Sequence, residues 1–281
     1  MNRILIFGGV GLIAFLGGLM ISGIWPLARQ KAANARDALA AKAPAPNTDL
    51  GKDEDPKNIL NKAIAAHGGA AKLDSYQTVR CKYHGYKYFR NIKCVVSGDE
   101  VHQRPDKMKT NVLLANGPNQ IIVTVVSDGN AIWLTDGDKR KEYSEKRDMT
   151  GVRQELLLEC YTLGDYLKSP YELTNMGIVD VKGNETIGIR VAKAGENDVL
   201  FFFDKKTHLI AKTQAWPYEP DLGRDVNHER YILAYQELDG VKFPQRFEIY
   251  KGGRLYSNIE VTSVTSIPRL DDSFFTKPWA R

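Results

Sequence analysis

Five histidines, three cysteines and 34 acidic residues are the raw material for chemistry in this chain of 281 residues. Their spacing defines no reaction. There is no H-E-x-x-H, no C-x-x-C and no pair of histidines at helical i, i+4 spacing to hold a metal ion. No G-x-S-x-G elbow presents a nucleophile, and no glycine-rich loop leads from a strand into a helix to cradle phosphate. The histidines have structural places instead. His67 ends a helix, where a polar residue at the negative end of the dipole is ordinary. His84 and His102 fall within or beside strands among polar neighbours. His208 closes the turn Asp204-Lys205-Lys206-Thr207-His208, where a positive φ is tolerated. Asp271-Asp272, after Pro268, reads as a turn and cap. The expectation is therefore a protein with no catalytic residue, no metal ligand and no cofactor; a hydrolase whose groups converge only in three dimensions is the minor alternative.

The odd number of cysteines leaves at least one unpaired. Cys81 and Cys94 sit on adjacent expected strands, with a bridge between them left open, and Cys160 lies on an apolar helical stripe as a small buried hydrophobe. The loop Trp216-Pro217-Tyr218-Glu219-Pro220-Asp221-Leu222-Gly223-Arg224-Asp225 carries aromatics and both charge signs. It reads as a surface excursion or as a lid presenting Trp216 and Tyr218.

The elements that must position these residues are mostly strands. A first helix is expected over 56–67, capped by Asp55, with Pro56 at its first position and Gly68 as its left-handed stop. A second is expected over 150–167, with Val152, Leu156, Cys160, Leu163 and Leu167 at spacings of three and four. Strands are expected near 76–89, 92–97, 109–115, 120–127, 130–135, 171–180, 185–193, 198–204, 208–216, 228–238, 241–250 and 254–266. Between them lie two-residue turns such as Gly183-Asn184, Asp239-Gly240 and Gly252-Gly253. This is a meander, not an alternation of strands and helices. Period-two alternation places Tyr231, Leu233, Tyr235, Phe243, Phe247, Ile249, Ile259 and Val261 on one apolar face, with Lys212, Gln214, Arg230 and Arg246 on a wet one. The fold class is thus mainly β (α+β): an incomplete antiparallel barrel or curved sheet with helices on its concave side. A cavity between sheet and helices would be lined by Leu156, Tyr231, Leu233, Tyr235, Phe247 and Ile249.

Ahead of this domain, 55–281, come a short charged start (1–3), an uncharged run at 4–25 and a stalk at 26–54 rich in Ala, Pro, Lys and Asp. The 22 residues of the uncharged run suffice as a helix to span a bilayer about 30 Å thick in its hydrocarbon layer. A signal anchor is favoured over a cleaved signal, whose apolar region is usually shorter. No cysteine precedes Cys81, which excludes a lipid-modified start. Arg29, Lys31, Arg36 and Lys42 follow the run while only Arg3 precedes it, so the positive-inside rule would keep the domain in the cytoplasm. The net charge of +5 is scattered, which excludes a nucleic-acid stripe.

The leading helix ending in His67-Gly68-Gly69, with Lys72-Leu73 and Thr78-Val79-Arg80 after it, resembles the outer-membrane lipoprotein-sorting and carrier superfamily, the LolA/LolB-like half-barrels. So do the hairpin Phe202-Phe203-Asp204-Lys205-Lys206-Thr207-His208-Leu209-Ile210, the turn Leu238-Asp239-Gly240-Val241-Lys242-Phe243-Pro244 and the tail Leu270-Asp271-Asp272-Ser273-Phe274-Phe275. The resemblance implies an apolar cavity for acyl chains or for the lipidated end of another protein. It also implies a periplasmic domain, against the charge rule. Carriers of that group are soluble, whereas an anchor at 4–25 implies a fixed station in the membrane. The expected function is a membrane-tethered, non-catalytic binder of a lipid, lipoprotein or other amphiphile in the cell envelope. The alternative is an envelope regulatory or structural interaction module.

Overall fold

The structure, a computed structural model, describes residues 51–89, 92–137, 139–219 and 222–279. The expected anchor at 4–25 and all but the last four residues of the expected stalk lie outside the described residues. Among the described residues no helix is long and apolar enough to cross a membrane. Residues 51–54 run against a sheet edge, where the Asn175 side-chain amide donates to the Gly51 and Glu54 carbonyls at 2.8 Å each.

Helix α1 (Pro56–Ala66) forms as its sequence predicts. The Asp55 side chain accepts from the Lys57 N–H at 2.9 Å, Pro56 opens the first turn, and Ile59, Leu60, Ala63 and Ile64 make the buried stripe. After the short α2 (Ala70–Asp74) the chain enters a meander of β1 (Thr78–Phe89), β2 (Ile92–Gln103), β3 (Lys107–Asn116), β4 (Asn119–Ser127), β5 (Ile132–Asp136) and β6 (Lys139–Tyr143). Helix α3 (Lys146–Leu156) and a 3-10 helix (Cys160–Leu167) follow. The second meander comprises β7 (Glu172–Val181), β8 (Asn184–Ala192), β9 (Val199–Asp204), β10 (Ile210–Ala215), β13 (His228–Leu238), β14 (Val241–Lys251) and β15 (Arg254–Ser266). Between β10 and β13 the chain turns out into a small ribbon, β11 (Tyr218–Glu219) and β12 (Arg224–Asp225).

All strands but the ribbon join one 13-stranded sheet in the order β6-β5-β4-β3-β2-β1-β15-β14-β13-β10-β9-β8-β7. It is antiparallel throughout the paired strands and curved, and it does not close, since β6 and β7 are its edges. The link between these edges is α3 with its 3-10 helix, so the connection that completes the chain path also crosses the concave side. The turns expected at Asp239-Gly240 and Gly252-Gly253 take positive φ, as does His208 at 58°, whereas the turn expected at Gly183-Asn184 falls one residue earlier, at Lys182-Gly183, with Val181 opposite Asn184. Asp271 caps a final 3-10 turn (Asp272–Phe275) by accepting from the Ser273 N–H.

Two pieces that carried the family resemblance meet here. Gly68, at φ 124°, lies so close to the 239–240 turn that a Cβ would stand 2.5 Å from the Gly240 carbonyl oxygen. The His67 carbonyl accepts from the Lys242 N–H at 3.0 Å. The glycine is there for a close approach of two backbones, and the motif docks the leading helix on the sheet.

Four expectations are corrected. The helix expected over 150–167 is two pieces, because the Leu157 carbonyl is taken by the Thr162 hydroxyl (2.7 Å) and the Tyr166 hydroxyl (2.6 Å) instead of by the next turn. Strand β6 was not expected: Lys139-Arg140-Lys141-Glu142-Tyr143 has no apolar period, as befits a charged edge strand. The single apolar face breaks on β13, where register shifts between Ile232 and Tyr235 let Ile232, not Tyr231 or Leu233, oppose Phe247. The wet face is also mis-drawn: Lys212 and Gln214 are buried, and Arg230 joins the concave side. The bridge that the sequence left open between Cys81 and Cys94 is not formed. Cys81 pairs in register with Glu100 and Cys94 with Lys87, which separates the thiols by six rungs, roughly 20 Å.

Candidate functional site

The concave side holds two apolar clusters. One is built on β1–β5, β14 and β15, with Val96, Val112, Leu114, Val123, Leu134, Phe247 and Ile259 among its members, and its helical cover is Met149, Val152 and Leu156 of α3. The other packs α1, α2 and the first 3-10 helix on β7–β10, around Ile64, Leu163, Tyr166, Phe201 and Phe203. The first is where a ligand face was expected. Leu156, Phe247 and Ile249 do come together there, each at most 6% exposed. Tyr235 is elsewhere on the concave side, its ring 5.7 Å from that of His67 and its hydroxyl donating to the Ile210 carbonyl at 2.5 Å. Tyr231 lies on the opposite side with Phe202 and Trp216, and Leu233 is 47% exposed. Of the two expected lid residues, Trp216 joins that opposite-side cluster, while Tyr218 lies under the Arg147 guanidinium of α3 at 3.6 Å. A cavity of about 490 Å³ opens away from all of these, between Lys107, Asp128, Trp133, Asp272, Phe275 and Lys277.

Polar groups that sequence reasoning missed divide this interior. In the middle of the concave face, the Glu100 carboxylate meets His102 Nε2, whose Nδ1 is 3.0 Å from the Tyr161 hydroxyl. Close by, Arg230 donates to Glu159 at 2.6 Å and lies 4.1 Å from the Phe247 ring. Burial alone would push the His102 imidazole down, but the Glu100 carboxylate outweighs it and its pKa is raised. Burial pushes the Tyr83 hydroxyl and the Cys160 thiol well up, so neither is an ionised nucleophile.

A second network sits where α3 and the β11 ribbon meet the sheet. His228 Nδ1 lies 2.8 Å from the Glu155 carboxylate of α3 and its Nε2 lies 2.9 Å from the Glu219 carboxylate of β11. Lys251 donates to Glu219 at 2.7 Å. Burial raises the Glu219 carboxyl, yet Lys251 and His228 together hold it at about 2, well below the usual carboxylate range. Lys87, wholly buried, lies 4.6 Å from the Tyr256 ring and 5.2 Å from that of Phe89, and burial with the nearby Lys251 charge lowers its pKa strongly. One signal for the first network was present: Glu100 and His102, two apart on β2, share a face with Cys94 and Val96. The second was hidden, because His228 and Lys251 become neighbours only through the β13–β14 register.

Among the described residues no group of three His, Cys, Asp or Glu side chains is arranged to hold a metal ion. No family model matches the sequence, and no curated protein matches it significantly. Solved structures do. A DUF1329 family protein from Desulfovibrio piger superposes with a TM-score of 0.51 at 12% identity, over 79% of this chain and 98% of that one. A LolA superfamily protein from Nitrosomonas europaea gives 0.50 at 10% identity, over 80% and 99%. The fold of the domain is therefore LolA/LolB-like. At these identities the likeness is one of architecture, and any activity has to be argued from the site.

Proposed function

We propose that this chain is a non-catalytic binding protein of the cell envelope whose ligand is a lipid, the lipidated end of another protein or another amphiphile. It is held at a membrane by residues 4–25, and its domain works on the extracytoplasmic side. One observation carries this reading: the broad apolar face of β1–β5, β14 and β15 has as its helical cover a single 11-residue helix, α3. Charged pairs hold that helix at both ends, Glu155 to His228 of the sheet and Arg147 to Asp225 of the ribbon. A cover this small, held in part by charged pairs, bares on parting a face with the size and chemistry of an acyl-chain surface. The LolA/LolB-like fold is consistent with that use. Delipidated full-length protein should bind a fluorescent fatty acid saturably, with unlabelled lipid competing; a flat titration would end the proposal.

A second reading, an interaction module with no bound lipid, is favoured by one feature of the convex face. Tyr86, Val95, Leu113 and Ile122 are 42%, 54%, 36% and 61% exposed and form two directly opposed pairs, Tyr86 with Val95 and Leu113 with Ile122, offset by two residues across β1–β4. A photo-crosslinker at position 122 that recovers one stoichiometric protein from cells, and no lipid, would favour it.

A further inference from the structure

The charges that fasten the cover are segregated by element. On the sheet side stand His228 of β13 and Lys251 of β14, directly opposite each other in the ladder. On the cover side stand Glu155 of α3 and Glu219 of β11, both buried, with the distances already given. An outer contact of opposite arrangement, Arg147 of α3 with Tyr218 and Asp225, ties the helix to the ribbon and not to the sheet. Moving α3 and β11 off the sheet therefore removes both carboxylates together. It leaves the Lys251 ammonium and the His228 imidazole beside Ile249 and Tyr256, at one end of the apolar face.

A buried ammonium group needs an anion beside it. With the cover parted, that anion has to come from the ligand. A cationic cluster continuous with an apolar face complements a molecule that carries one anionic group on an apolar chain. We propose that His228 and Lys251 form the headgroup subsite for an amphiphile bearing a phosphate or carboxylate, and that Glu155 and Glu219 take the place of that headgroup in the closed state. This rests on the amphiphile-binding reading above and goes beyond it in naming the ligand's charge and the residues that receive it.

Binding of dodecyl phosphate, dodecanol and inorganic phosphate to the delipidated full-length protein tests it, each below its aggregation concentration. Dodecyl phosphate should bind at least about tenfold more tightly than dodecanol, a gap expected of a charge-assisted contact. Inorganic phosphate alone should bind far more weakly than dodecyl phosphate. Lys251→Met, and separately His228→Gln, should bring the phosphate-to-alcohol ratio towards one while leaving dodecanol affinity in place. Glu219→Gln should keep the ratio and strengthen binding of both dodecyl compounds, because the cover is then held less firmly. Equal affinities for dodecyl phosphate and dodecanol in the parent protein would overturn the headgroup subsite and leave amphiphile binding standing. Inorganic phosphate binding as tightly as dodecyl phosphate would overturn it too, as an anion site without a chain. Failure of both dodecyl compounds to bind would remove the broader reading itself. Should one variant fail to fold, the ratio in the parent and in the other still decides.

Discussion

Lowering the pH should loosen this domain through His67 before it reaches any carboxylate. The imidazole is wholly buried at the end of α1; its Nδ1 donates to the Ala63 carbonyl at 2.8 Å, and its Nε2 has no hydrogen-bond partner. Burial, with a smaller push from the Lys242 charge, lowers its pKa from 6.5 to about 4. The folded state thus prefers the neutral ring, and between those two values the unfolded chain binds the extra proton. The stability linked to this preference is complete above about pH 6.5 and is lost as the pH falls towards 4. At about 1.4 kcal/mol per pH unit the full effect is about 3 kcal/mol, of which about 2 kcal/mol falls between pH 7 and pH 5. With a urea slope near 2 kcal/mol per molar, the unfolding midpoint should drop by roughly 1 M over that interval. His67→Asn keeps a donor for Ala63 and removes the titration. Its midpoint should be lower at pH 7 and should not fall from pH 7 to 5, since the raised pKa of His102 favours the folded state as the pH drops. Parallel pH profiles for the two proteins would refute the reasoning, since the acid sensitivity would then reside in other groups.

Gly68→Ala should cost about 2 kcal/mol or more, because the added carbon meets the Gly240 carbonyl oxygen at 2.5 Å and φ is 124°; urea denaturation reads this directly. Arg230→Met leaves the Glu159 carboxylate buried without its partner and should cost about 3–5 kcal/mol, while the double variant Arg230→Met with Glu159→Leu should recover much of that loss. Additive losses in that cycle would show that the pair is not coupled. Alkylation in denaturant without reductant should add three labels per chain, since Cys81, Cys94 and Cys160 are all free thiols; a mass with one label would mean that a bridge had formed.

What could be read in advance was local. Asp55, Pro56 and Gly68 marked α1 because capping and left-handed stops act within a few residues. Turns such as Asp239-Gly240 marked the hairpins because positive φ at both positions selects those residue types. What failed depended on partners far along the chain. The alternation Tyr231, Leu233, Tyr235 looks uninterrupted, yet the bulges against β14 switch its faces midway, so Tyr235 and Phe247 share the concave side and Leu233 faces solvent. Strand β10 is buried on both faces, so Lys212 lies beside Phe202 and Tyr231 with Glu229 as its partner. The stripe from Val152 to Leu167 has helical spacing throughout, and only the tertiary claims of Thr162 and Tyr166 on the Leu157 carbonyl break it. The buried networks were least legible, since Glu155, Glu219, His228 and Lys251 come from four separate elements.

The sheet order has a consequence for how the chain reaches this state. Strands β1–β6 and β7–β14 each zip up from neighbours in sequence, but the seam that unites them is β1 against β15, with Val79 opposite Ser266. That contact closes a loop of nearly the whole domain, so it is slow to form and comes last during synthesis. Until β15 has emerged, β1 and β14 are two unsatisfied edges of two unfinished halves, exposed to mispairing and to proteases. A stop or frameshift within Arg254–Ser266 should therefore forfeit the domain as a whole and not merely its tail, leaving a chain that quality control removes.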